Sequence, residues 1–200
     1  MESTSFSQRK NETEVLTVSK IEAAKRQLNT AVTLFFDEGD PVSIHTLSAA
    51  AYQVLQDVGK GRIDFDTLAG AECVKEEKKK EFRDLLFKAR NFFKHADRDP
   101  DATLDFDPWQ NKVFLYDSVR IYHHLTGKQT VETAFYNLWF MTRYPEYFHY
   151  PKEPDGSLSQ LFNAMRSKAD PCKLESYSRV LKMMKNKFMQ ESNPPPHLEL

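Results

Sequence analysis

The chain has 200 residues and is nearly neutral, with 28 Lys and Arg against 29 Asp and Glu. A length of this order predicts one domain whose core needs no disulfide or structural metal. The near-zero net charge excludes a protein-wide field that attracts nucleic acid or membranes, so any such partner must be recognised by a local cluster of charge.

The two cysteines, Cys73 and Cys172, have no metal-ligand spacing, which is typical of free thiols in a reducing compartment. The polar segment 1–17 lacks the apolar stretch of a secretory signal, and no apolar run is long enough to cross a bilayer. We therefore expect a cytoplasmic protein without a membrane partner. No phosphate-binding or dinucleotide-binding fingerprint is present, and we predict neither a cofactor nor a metal.

Apolar residues recur at spacings of three and four along most of the chain, which is the period of a helix. This pattern predicts helices at 18–38, 44–58, 71–96, 109–125, 130–143, 157–168 and 173–190. Gly39 and Gly127 are expected to end the first and fourth helices, and Ser43 to cap the second. No segment alternates as a strand does, so the sequence predicts an all-α helical bundle.

The predicted helices divide the chain into four parts. Residues 1–17 are expected to be disordered, and residues 18–126 to form the bundle. Residues 127–190 supply additional helices packed on it, and residues 191–200, with three consecutive prolines, form a flexible tail. The last helix is amphipathic and is expected to dock its apolar side on the bundle.

Residues 90–95 read Arg-Asn-Phe-Phe-Lys-His and lie near the end of the third predicted helix. With Ala89 at the centre of the buried face, a turn of about 100° per residue places Arg90 on one flank. Four residues then share the opposite, exposed side: Asn91, Lys94, His95 and Arg98. Phe87 lies on the same stripe, and an exposed phenylalanine there predicts a partner, which we expect to be a second copy of the chain.

These residue types suit the cleavage of RNA through its own 2′-hydroxyl group. Histidine is the side chain that can take or give a proton near neutral pH, and His95 is the candidate for this role. Arg90 can hold the negative charge of the transition state, while Asn91 fixes the imidazole or the phosphate. Lys94 and Arg98 are candidate substrate-binding residues. One histidine is poorly placed to serve both sides of an in-line displacement, so a homodimer is expected to bring two copies together.

The spacing from Arg90 and Asn91 to His95 resembles the R-[polar]-x(3–5)-H motif of the HEPN superfamily, in the context of an all-α bundle. The longer string from Asn91 to Asp101 also resembles a group of bacterial proteins of unassigned activity. The resemblance covers about residues 18–126. It implies a HEPN-type bundle, a metal-independent ribonuclease that works as a dimer, and a role as a toxin with an antitoxin partner or as a defence effector. It also implies that Arg90 and His95 are catalytic and that Asn91 is the polar residue beside Arg90.

Two alternatives remain open. A non-catalytic module of the same fold would use the exposed stripe to bind a protein or a nucleotide. A metal-dependent hydrolase would use His95 and the Asp-rich segment 97–107, although Ala102 and Pro108 stand where a calcium loop has Gly and Glu. Asp side chains in such a segment more often cap backbone amides, including the start of the helix at Trp109. His45, near a helix start, is expected to be a satisfied surface or interface group.

Overall fold

The protein is represented by a computed structural model that describes residues 15–67, 75–97, 99–144 and 156–191. Seven α-helices occur in these ranges: α1 Lys20–Phe36, α2 Pro41–Gly59, α3 Lys79–Phe92, α4 Trp109–Thr126, α5 Val131–Arg143, α6 Gly156–Lys168 and α7 Leu174–Glu191. No β-strand occurs in the described ranges, so the predicted all-α class is confirmed. Most of the predicted disordered N-terminus and all but the first residue of the predicted tail lie outside the described residues.

A single apolar core joins α1, α2, α4 and α5, with α6 and α7 packed against it. Its centre is a group of aromatic rings in edge-to-face contact, as aromatic quadrupoles favour. Phe35 of α1 lies 5.0 Å from Trp139 and 5.4 Å from Tyr136, between ring centroids. Phe36 lies 5.2 Å from Phe135. The aromatic residues of α5 therefore belong to the core.

The helix ends follow local capping chemistry. Ser19 accepts a hydrogen bond from the Glu22 amide and begins α1. Asp40 caps α2 by accepting from the Ser43 amide at 2.7 Å, and Pro41 takes the first helical position. The prediction that Ser43 caps α2 is therefore wrong by one turn. Gly127 ends α4 in the left-handed conformation, with φ of 65°, as predicted.

The third helix differs most from its prediction. It was expected to span 71–96, but α3 begins at Lys79 after a short 3₁₀ turn, Glu76–Lys78, and ends at Phe92. Its buried face is also rotated from the predicted one, since Leu85 is 68% exposed while Phe87 packs on the core. A helical wheel weights every apolar residue equally, whereas only those that reach a neighbouring helix become buried. Ala89 is the one residue of α3 that is fully buried.

The predicted docking of the last helix is confirmed. Val180, Leu181, Met184 and Phe188 of α7 are buried against the bundle. Lys182 and Ser178 both contact the carboxylate of Asp37, at the end of α1. These hydrogen bonds, with Lys182 first, hold the pKa of Asp37 below its usual value. None of the helices in the described part of the chain is both long enough and apolar enough to cross a bilayer.

Candidate functional site

Arg90 lies in the last turn of α3, where this helix meets α2. Its guanidinium group stacks over the Phe87 ring, with 4.1 Å between the guanidinium carbon and the ring centroid. Nη1 donates a hydrogen bond of 2.5 Å to Oε1 of Gln53 on α2. Gln53 in turn donates from Nε2 to a carboxylate oxygen of Asp57, at 2.9 Å. The Phe87 ring and the Gln53 side-chain amide together fix the direction in which the Arg90 guanidinium points.

Asn91 contacts Arg90 directly, because its Oδ1 accepts hydrogen bonds from Nε at 3.3 Å and from Nη2 at 3.2 Å. Three of the five guanidinium N–H groups are therefore bound to amides, and two have no acceptor among the described residues. No described carboxylate lies within ion-pair distance of Arg90; Asp57, which accepts a hydrogen bond from Gln53, acts on the guanidinium through the longer-range effect of its charge. Burial lowers the pKa of Arg90 from its usual value, and the charges of the nearby Asp57 and Tyr52 offset part of this change. Arg90 therefore forms no ion pair with any carboxylate of the described residues.

His95 lies beyond the end of α3, in the turn that leaves the helix. Its backbone amide donates to the Asn91 carbonyl at 3.1 Å, which continues the helical path for one residue. The side chain is 53% exposed, and Nδ1 lies 3.9 Å from a carboxylate oxygen of Asp97. No hydrogen bond joins the imidazole to Arg90 or Asn91. Lys94 is exposed beside it, and Arg98 lies outside the described residues.

The motif is therefore brought together only in part. Arg90 and Asn91 form one hydrogen-bonded unit, and His95 stands apart from it in solvent. The long helix that was expected to carry all of these residues ends before Lys94 and His95. These two side chains are placed by a turn and not by a helical face.

The structure contradicts the predicted exposure of Phe87. Its ring is half-buried and contacts Tyr52 and Phe114, with centroids at 6.3 and 6.2 Å, while Arg90 covers its other side. Phe87 thus needs no second chain to cover it. Its assignment to a dimer interface stays a prediction, although the exposure that motivated it is wrong.

His45 was not predicted to be part of the interior, yet it is fully buried where α2 meets the end of α3. The rings of Phe93, Phe106 and Phe114 surround it with centroids at 5.0 to 5.7 Å. Nδ1 donates to Oδ1 of Asn111 at 2.9 Å, because the amide of Asn111 donates to the Pro41 carbonyl. Nε2 has no hydrogen-bond partner among the described residues. Position 45 lies seven residues before the buried Tyr52, so the apolar period of α2 carried a signal for this burial.

Burial lowers the pKa of His45, and the charge of the nearby Arg90 acts in the same direction, whereas the hydrogen bond that the imidazole donates to Asn111 raises it. The imidazole is therefore neutral near pH 7. The neutral imidazole of His45 packs against Phe93 near the cationic Arg90, and it adds no second positive charge there.

The Asp-rich segment supplies a helix start. Asp107 accepts a hydrogen bond from the Trp109 amide at 2.8 Å, as the capping interpretation predicts. Within the described ranges no three His, Cys, Asp or Glu side chains converge as metal ligands would.

Neither family models nor curated proteins nor solved structures match this chain. The site is therefore interpreted from its own residues.

Proposed function

We propose that this protein is a metal-independent endoribonuclease that cleaves RNA by attack of the 2′-hydroxyl group on the adjacent phosphate. The observation that carries the proposal is the state of Arg90. It is a half-buried cation, held in one direction by Gln53, Asn91 and Phe87; among the described residues no carboxylate lies within ion-pair distance of it, and two of its N–H groups have no acceptor. A phosphate matches such a fork in charge and geometry.

The roles of the other residues follow from their chemistry. Arg90 holds the oxygens that gain negative charge as the phosphorane forms. The exposed imidazole of His95 takes the 2′-hydroxyl proton or gives one to the leaving 5′-oxygen. Asn91 fixes the guanidinium, and Lys94 and Arg98 attract the RNA backbone. A homodimer would supply the second imidazole that an in-line displacement needs.

In the cell this activity would be cytoplasmic, and it would make the protein a toxin or a defence effector held in check by a protein partner such as an antitoxin. Overexpression of the wild type is then expected to slow growth, and His95→Ala to relieve the effect. Equal toxicity of the two proteins would contradict the proposal.

A second candidate is a non-catalytic module that binds an anionic partner, a protein or a nucleotide, through the same cation. The separation of His95 from Arg90 and Asn91 favours it, because binding of an anion needs the cation alone. The two candidates differ in whether His95 is required.

The deciding experiment is RNA cleavage by the purified protein in the presence of EDTA. Wild type is expected to leave a 2′,3′-cyclic phosphate, and His95→Ala to lose on the order of 10²–10⁴-fold in rate. His124→Ala is the control for loss of a histidine outside the motif; His124 lies in the last turn of α4, where its Nε2 is 2.9 Å from the Arg62 carbonyl oxygen. Arg90→Lys keeps the charge but loses the fork, and it is expected to lose most activity as well.

Equal cleavage by wild type and His95→Ala would overturn the ribonuclease proposal. Retained binding of RNA by His95→Ala, with no cleavage by either protein, would favour the binding module. If the wild type sediments as a monomer in the presence of RNA, the proposed active site shared between two copies of the chain would be contradicted.

A further inference from the structure

A cleft of about 730 Å³ opens between α5, α6 and α7, and none of the motif residues on α3 lines it. Its floor is apolar and consists of Phe35, Trp139 and Met165, all of them buried in the core. Leu174 and Tyr177 of α7 form one wall. A volume of this order is typical of sites for small organic molecules.

The rim of this cleft is positively charged. Lys112 of α4, Arg143 of α5 and Arg166 of α6 line it, and none of the described lining residues is acidic. No described carboxylate pairs with any of the three cations. By contrast, three neighbouring cations of α7 are all paired: Lys182 with Asp37, Lys185 with Glu132 and Arg179 with Glu175.

The three rim cations contact aromatic groups. The Arg166 guanidinium lies 5.4 Å from the centroid of Phe162, and Arg143 lies 5.9 Å from that of Tyr144. Lys112 Nζ lies 3.5 Å from the Tyr144 hydroxyl. Three like charges from three different helices thus line one cleft, none of them paired with a described carboxylate, and this arrangement favours the binding of an anion at the rim.

We propose that this cleft binds a small organic anion with a flat apolar body, of the aryl carboxylate or aryl phosphate class. The aromatic body fills the apolar floor beside Trp139 and Tyr177. The anionic end lies at the rim and accepts hydrogen bonds from Arg143 and Arg166. Lys112, whose Nζ lies 3.5 Å from the Tyr144 hydroxyl, adds a third positive charge to the rim. This site is independent of the activity proposed for the α3 motif.

Trp139 provides a direct reporter, because the chain has two tryptophans and the other, Trp109, is 53% exposed outside this cleft. Trp109→Phe leaves Trp139 as the single emitter. Nitroaryl compounds quench indole emission on contact, so the probes are 4-nitrobenzoate and 4-nitrophenyl phosphate. The neutral 4-nitrobenzamide has the same flat body and serves as the matched probe.

Both anions are expected to quench Trp139 saturably, with an affinity that falls as salt rises. The amide is expected to bind at least about tenfold more weakly, since it cannot form the charge-assisted hydrogen bonds. Arg143→Gln and Arg166→Gln are each expected to weaken the anions about tenfold and to leave the amide unchanged. Arg179→Gln, an exposed arginine of α7 outside the cleft, is the control. The ratio of carboxylate to phosphate affinity tells which of the two anions the rim prefers.

The exposed Cys172 lines the same cleft and gives a second readout. In a Cys73→Ser background, the bound anion is expected to slow alkylation of the Cys172 thiol. Equal quenching by the amide and the anions would overturn the proposal, as would affinities that are the same in Arg143→Gln, Arg166→Gln and wild type. Absence of saturable quenching at millimolar anion would overturn it as well.

Discussion

The helices α5 and α3 are close in length and differ in almost everything else. Nine of the thirteen residues of α5 are buried, including four aromatic side chains. Only Ala89 is buried among the fourteen residues of α3, and the exposed face of α3 is strongly charged. The helix α5 thus lies at the centre of the bundle, whereas α3 is attached to the bundle at one end only.

The attachment of α3 uses the same residues as its candidate chemistry. Arg90 contacts Gln53 on α2 and covers Phe87, and Phe93 packs beside the buried His45. The catalytic hypothesis therefore concerns residues that also hold the helix in place. A loss of activity on changing Arg90 has to be separated from a loss of attachment, whereas His95 is exposed and free of that difficulty.

The largest expected effect is in α5. Phe135→Ala removes a fully buried ring that contacts Phe36, and it is expected to lower the free energy of unfolding by about 3–5 kcal/mol. Denaturant titration of the whole chain measures it. A cost below about 1 kcal/mol would mean that α5 is not the centre of the core.

The second effect lies at the junction of the two regions and depends on pH. The pKa of His45 is lowered by folding, so below about pH 6.5 the unfolded chain takes up a proton that the folded chain does not. The free energy of unfolding is therefore expected to fall as pH decreases, by at most about 1.4 kcal/mol per pH unit from this group.

His45→Gln stays neutral and is expected to flatten this dependence when stability is measured between about pH 8 and pH 5. Part of the slope is expected to remain, because burial also lowers the pKa of the half-buried His123. An unchanged slope in His45→Gln would show that the imidazole titrates equally in the folded and unfolded chains.

The third effect tests the attachment of α3. Gln53→Ala removes the acceptor for Arg90 and is expected to cost about 1 kcal/mol. Amide exchange should become faster in the last turn of α3 and stay unchanged in α5. Gln56→Ala is the matched control, since Gln56 is also half-buried on α2 but bonds to Tyr52. Faster exchange in both helices would mean that they unfold as one unit.

The smallest effect is expected on the outer face of α3. Leu85→Ala removes a side chain that is 68% exposed, so the free energy of unfolding should change by less than about 0.5 kcal/mol. A cost comparable to that of Phe135→Ala would indicate that this face is covered in solution, and sedimentation would then reveal the covering copy.

The same contrast explains which predictions were accurate. The apolar periods of α1 and α7 identified their buried faces, because each of these helices packs along most of its length. In α2 the buried face includes His45, which was not predicted to be buried. The period of α3 gave wrong bounds and a rotated face, because a helix that touches the bundle at one end leaves some of its apolar residues in solvent. The HEPN resemblance and the ribonuclease activity stay predictions, since nothing in the fold tests them.

The sequence by itself determined the all-α class, the ends of most helices and the string of residues from Arg90 to His95. These features depend on local spacing and on capping groups within a few residues. Only the tertiary structure decided that Gln53 orients Arg90, that Asn111 holds a buried His45, and that three cations from separate helices meet at one cleft. Each of those contacts joins residues far apart in the chain, and no local pattern encodes which distant side chain will lie opposite.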